Sequence, residues 1–169
     1  MANADTPGAA LRRLVAEAAG VDADALRDDA EIAERGDDPG PAARLPALAG
    51  AGGSIVGVVP RADPGLARQL LNDGEVTSGT LRLVLTGGAE ARLTGASAPL
   101  LRSVLAEHGV EAYRHDGDSP VAVFLVGERA VVGLFDERGL AALLWSDAPP
   151  VREWAAATCR RYLSAADPV

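Results

Sequence analysis

The chain of 169 residues contains no lysine; all 16 of its basic residues are arginine. That absence excludes a Schiff-base lysine, a phosphate-loop lysine and the His-x-Lys pair of a phosphodiesterase. A single cysteine, Cys159, excludes an internal disulfide framework. Two histidines, His108 and His115, and that one thiol are too few soft ligands for a closed zinc site, so no metal and no cofactor is expected. The longest apolar runs, Val121–Val126 and Leu140–Trp145, fall well short of the roughly 18–20 residues that span a membrane. Met1–Pro7 carries no basic region and no apolar core follows it, which argues against a signal peptide. A cytoplasmic location without a membrane partner is the expectation.

What is present is acidic. The net charge of −8 repels phosphate backbones, so direct nucleic-acid binding is not expected of the chain as a whole. Arginine without lysine on an acidic background points to a GC-rich genome, either of a salt-loving archaeon or of a mesophile. The chain is 48% hydrophobic, enough to build a core rather than stay disordered.

Leu11, Leu14, Val15 and Ala18 have helical spacing, with Gly20 as the stop. Residues 22–41 are acidic and turn-rich and read as a connector, followed by a short helix over Ala42–Leu48. The division is therefore an N-terminal helix and connector over residues 1–50 and an α/β domain over 51–169. In the second part Ser54–Val59, Thr80–Thr86 and Val110–Arg114 read as strands. Pro64–Asn72 and Ala98–His108 read as helices, the second closed by Gly109. Val121–Val126, Ala130–Phe135 and Leu140–Trp145 form an antiparallel meander turning at Gly127-Glu128 and at Asp136-Glu137-Arg138-Gly139. A closing helix from about Pro150 to Ser164 carries the stripe Val151, Trp154, Ala155, Thr158 and Tyr162, with Asp147 as its start signal. The predicted class is α/β, a mixed sheet flanked by helices.

Familiar catalytic motifs fail on inspection. Gly50-Ala51-Gly52-Gly53 precedes a strand, whereas a dinucleotide loop follows one. Gly95-Ala96-Ser97-Ala98 leaves no strand and lacks the closing glycine of a nucleophile elbow. Cys159, next to Arg160 and Arg161, reads as a reactive thiol or as a small packed residue. No nucleophile–base–orienter set can be assembled, so no catalytic residue is assigned.

Val121–Ser146 resembles the strand-rich end of the effector domain of archaeal methanogenesis regulatory proteins and related haloarchaeal regulators. Val151-Arg152-Glu153-Trp154-Ala155 and Arg161-Tyr162 are similar to that family's closing helix. The segment from Asp29 to Pro39 resembles its acidic connector, and Asp118-Ser119-Pro120 its entry into the central strand. The resemblance spans residues 28–169. It implies a phospholipase D-like fold related to the sugar-sensing TrmB regulators. Such regulators carry a winged helix-turn-helix, for which the residues before the connector leave no room.

These readings converge on a non-catalytic effector-sensing or dimerisation domain. Its ligand, an unidentified small metabolite, is expected at strand ends lined by Tyr113, His115, Asp118, Asp136 and Arg138, with Arg138 as an anion anchor. Trp154 and Tyr162 are expected at an interface in a homodimer or in a heterodimer with a winged-helix regulator. A ligand-free interaction module and an Asp/His acid–base enzyme are the alternatives.

Overall fold

The unbroken apolar run Val121–Val126 requires cover on both faces of its strand. The computed structural model describes residues 6–38, 40–51, 54–60, 81–87, 99, 102–103, 106, 109–137 and 139–168, and it places this run inside a sheet with helices on both sides. The elements in chain order are α1 (Pro7–Ala19), α2 (Ala23–Asp29), β1 (Glu31–Glu34), α3 (Pro41–Ala51), β2 (Ile55–Val59), β3 (Leu81–Leu85) and β4 (Val110–Arg114). They continue with β5 (Ala122–Val126), β6 (Arg129–Asp136), β7 (Gly139–Ser146), α4 (Pro149–Ser164) and β8 (Asp167–Pro168). The sheet order is β1-β7-β6-β5-β2-β3-β4-β8. Strands β2, β3 and β4 run parallel, and every other neighbouring pair is antiparallel. The mixed sheet, the meander and the closing helix are those expected. The helix expected over Pro64–Asn72 and most of that over Ala98–His108 lie outside the described residues; Gly109 adopts the left-handed φ of 69° expected of a helix stop.

The period-2 pattern sorts side chains into two layers. Ala122, Phe124 and Val126 join Ile55, Leu83, Leu143 and Trp145 under Leu45 of α3. Val123 joins Val58, Val84, Val132 and Leu144 under Leu11, Val15 and Leu26 of α1 and α2 and Val151, Ala155 and Cys159 of α4. Helix α1 is fixed at both ends. Thr6 accepts a hydrogen bond from the Ala9 N–H at 3.1 Å, and Gly20 closes the helix at φ 73°.

The acidic stretch read as a connector is instead structure. Asp22 caps α2 by accepting from the Asp24 N–H at 3.2 Å. β1 then pairs with β7 from Glu31↔Trp145 to Glu34↔Ala142. A four-residue strand with two glutamates shows no usable alternation, but each charge has a partner. The Glu31 carboxylate accepts from Trp145 Nε1 at 2.8 Å, and Glu34 accepts from the Gly8 N–H at 2.8 Å, against the positive end of α1. Arg35 donates two hydrogen bonds to Asp136, at 2.6 and 2.9 Å. The start of α4 also differs: its N-cap is Ala148 rather than Asp147, and Ser146 Oγ accepts from the Ala148 N–H at 3.1 Å.

Cys159 is packed, not reactive. Its Sγ lies 3.7 and 3.6 Å from the carbonyl oxygens of Val56 and Val123. Burial pushes the thiol up from 9.0 to about 12. Two outcomes follow. The native protein at pH 8 leaves Ellman's reagent uncoloured, and full reaction appears only on unfolding. Because the folded-state pKa is raised, the native state holds a proton that the unfolded chain releases above about pH 9. The unfolding free energy therefore falls between pH 9 and about 12 by a few kcal/mol, and this slope disappears in Cys159→Ala, as denaturant titrations across that range will show.

Candidate functional site

Parallel strands β2, β3 and β4 end in register at Val59, Leu85 and Arg114, so the chain leaves all three at one rim of the sheet. In open α/β sheets such a rim borders the ligand crevice. Backbone bonds carry the order past the strands: Thr86 N–H donates to Val59 O and His115 N–H to Leu85 O, both at 3.0 Å. Gly87 N–H donates to Gly117 O at 3.0 Å and ties two of the exits together. Gly87 has φ 51°, and a Cβ there would run into the Asp118 carboxylate, so conformation and space both select glycine.

The side chains converge on this frame. His115 Nδ1 accepts from the Gly117 N–H at 2.9 Å, which places the neutral ring's proton on Nε2 and makes that nitrogen a donor. Asp118 Oδ1 accepts from the Ser119 N–H at 2.8 Å, and Ser119 Oγ donates to Val121 O at 2.6 Å. Tyr162, from the last turn of α4, donates its hydroxyl to Asp118 O at 2.9 Å. Its ring centroid lies 4.9 Å from that of His115, tilted by 56°, and the Arg161 guanidinium carbon sits 5.4 Å from the same Tyr162 centroid. Thr86 is fully buried, and its Oγ1 has no hydrogen-bond partner among the described residues. An orphan hydroxyl of this kind costs free energy unless something completes it. The rim thus combines a donor at His115, an acceptor at Asp118 and an aromatic wall at Tyr162.

Of the residues expected to bind ligand, Tyr113, His115 and Asp118 gather here, with half-buried Tyr113 on β4 packed against the α4 layer. Asp136 lies at the same end of the sheet but on β6, four strand positions from β4, or roughly 19 Å at about 4.8 Å per strand. There its carboxylate engages Arg35, whose guanidinium is raised above its usual value chiefly by that hydrogen bond. Arg138 lies outside the described residues. Of the two residues expected at an interface, Tyr162 touches the rim, while Trp154, on α4, is half-buried against the core layer that α1, α2 and α4 cover. Sequence reasoning passed over Thr86 and Gly87. Their signal is the pair of small residues directly after the strand Leu81–Leu85.

A family model for the middle domain of the methanogenesis regulatory protein FilR1 matches residues 42–165. The chain belongs to this family. The FilR1 middle-domain match is accompanied by likenesses to solved structures that show the fold. One is TrmBL2, described as an archaeal chromatin protein with a novel mode of DNA binding: TM-score 0.56, 12% identity, covering 83% of this chain and 54% of that one. The chain therefore spans about half the length of TrmBL2. Another is Nuc from Salmonella typhimurium, a phospholipase D family member: TM-score 0.63, 12% identity, covering 83% of this chain and 97% of that one. A third is NucT from Helicobacter pylori: TM-score 0.61, 10% identity, covering 83% and 98%. No curated protein matches the sequence. The FilR1 middle domain is thus a regulator-associated domain on a phospholipase D-type mixed sheet. Among the described residues no helix is long and apolar enough to cross a membrane.

Proposed function

We propose that this domain senses a small polar metabolite at the rim formed by Tyr113, His115, Asp118 and Tyr162, without catalysis, and passes the bound state to a partner regulator. The observation that carries the reading is the convergence of His115, Asp118 and Tyr162 beside the orphan hydroxyl of buried Thr86, where three parallel strands end. A ligand supplying an acceptor to His115 Nε2 and a donor to Asp118 suits a neutral hydroxylated or amide compound. Family membership supports a regulatory role, and the net charge of −8 argues that any grip on a nucleic acid belongs to another domain or chain. The hydrolytic version of a phospholipase D-like fold needs a His-x-Lys pair, and this sequence has no lysine. Trp154 stays available for a homodimer or a heterodimer with a winged-helix protein.

The test is a thermal-shift screen of metabolites. A true ligand raises the Tm progressively with concentration, by about 2.7 kcal/mol of stabilisation at a hundred times its Kd. Asp118→Asn and Tyr162→Phe are expected to remove most of that shift while melting cooperatively. A ligand that shifts both variants as it shifts the native chain contradicts the site. Tight, specific binding of duplex DNA at moderate salt contradicts the regulatory division of labour.

A further inference from the structure

A second concavity lies at the opposite end of the sheet. The β5–β6 hairpin turns at Gly127-Glu128, where Gly127 has φ 60° and donates its N–H to Ser54 O at 3.0 Å. Around this tip opens a cleft of roughly 400 Å³, lined by Leu48 of α3, Val126, Glu128 and Arg129 of the hairpin, and Asp147 and Arg152 at the start of α4. The volume falls within the range of small-molecule pockets. Strand β5 separates this cleft from the His115 rim by its five residues, about 16 Å at ~3.3 Å per residue.

Its charges are unusual. Arg129 and Arg152 are both half-buried, and neither guanidinium has a hydrogen-bond or ion-pair partner among the described residues. Elsewhere arginines within reach of carboxylates take them: Arg35 pairs with Asp136 and Arg82 with Glu111. In the cleft Glu128 and Asp147 share the lining but stay on the exposed side. Two half-buried arginines line one cleft, and an oxyanion shared between their guanidinium groups would supply each with charge-assisted hydrogen bonds. The exposed carboxylates at the mouth disfavour a multiply charged anion. Leu48 and Val126 offer an apolar surface to whatever is attached to the oxyanion.

We propose that this cleft binds a monocarboxylate with a short apolar tail, its carboxylate held between Arg129 and Arg152 and its tail on Leu48 and Val126. The site is independent of the rim at His115 and stands whether or not that rim binds a metabolite. Hexanoate is the probe, titrated at constant ionic strength into the ¹⁵N-labelled full chain, with inorganic phosphate as comparison. The expected result is a saturable change at the amides of Gly127, Arg129 and Arg152, with a millimolar dissociation constant, as befits so small a ligand. Arg129→Gln and Arg152→Gln each weaken it about tenfold while the core amides of Val132 and Leu143 keep their positions. Phosphate binds more weakly than hexanoate. Absence of saturable change, equal affinity in both glutamine variants, or phosphate binding as tightly as hexanoate overturns the proposal.

Discussion

A chain beginning at Pro41, where α3 starts and the family match all but begins, is expected to lose cooperative folding. Without the residues before it, Val132, Ala142 and Leu144 lose the cover of Leu11, Val15 and Leu26. β7 also loses its antiparallel neighbour and becomes an eight-residue apolar edge, a template for aggregation. Part of the effect is isolated by one substitution. Leu11 is fully buried, and Leu11→Ala should cost about 2–5 kcal/mol, lowering the denaturant midpoint without changing the slope. If the shortened chain melts cooperatively as a monomer, α1 and β1 are ornaments on a self-sufficient sheet rather than part of its core.

Gly57→Val is expected to be comparably damaging for the opposite reason. Gly57 lies in β2, hydrogen-bonded on both sides, and pairs with Phe124 across the antiparallel ladder. The Phe124 ring covers the glycine, so a Cβ there would overlap Cδ1 and come within 2.8 Å of Cε1. Phe124 is buried in the layer under α3, so its ring can move only by displacing its neighbours. Overpacking of this kind costs typically about 1–3 kcal/mol, and the valine adds two further methyl groups to the overlap. Replacing the ring should relieve it. The double variant Gly57→Val with Phe124→Leu is expected to be more stable than the sum of its single changes, a coupling that a double-mutant cycle in urea measures directly.

Six strands, β2 to β7, were legible because their apolar runs are bounded by glycine, proline or turn residues, and the meander because its two turns are short. β1 and α2 were not. The two glutamates of β1 look solvated until Trp145 and Gly8 are placed beside them, and those partners lie 114 and 26 residues away in sequence. β8 is two residues held by backbone pairing with Tyr113 and Arg114, which leaves no side-chain pattern to read. The rim was legible in part for the same reason as the strands. A polar cluster following a strand marks a strand end, and His115 and Asp118 follow β4 directly. That Tyr162 arrives over the cluster depends on where α4 ends in space, which helical spacing does not state. Asp136 looked like a free carboxylate at a hairpin tip because Arg35 lies 101 residues away in sequence. The Arg129–Arg152 cleft was invisible for a related reason, since it joins a hairpin to the first turn of a helix that follows another strand.

The most direct test of sensing at the strand ends is an NMR titration of the native chain with a compound that raises its melting temperature, followed by recovery of the compound. Amide changes centred on His115, Gly117, Ser119 and Tyr162, with the compound returned chemically unaltered, are the predicted result. Changes centred anywhere else on the sheet, or a compound returned cleaved, would contradict it.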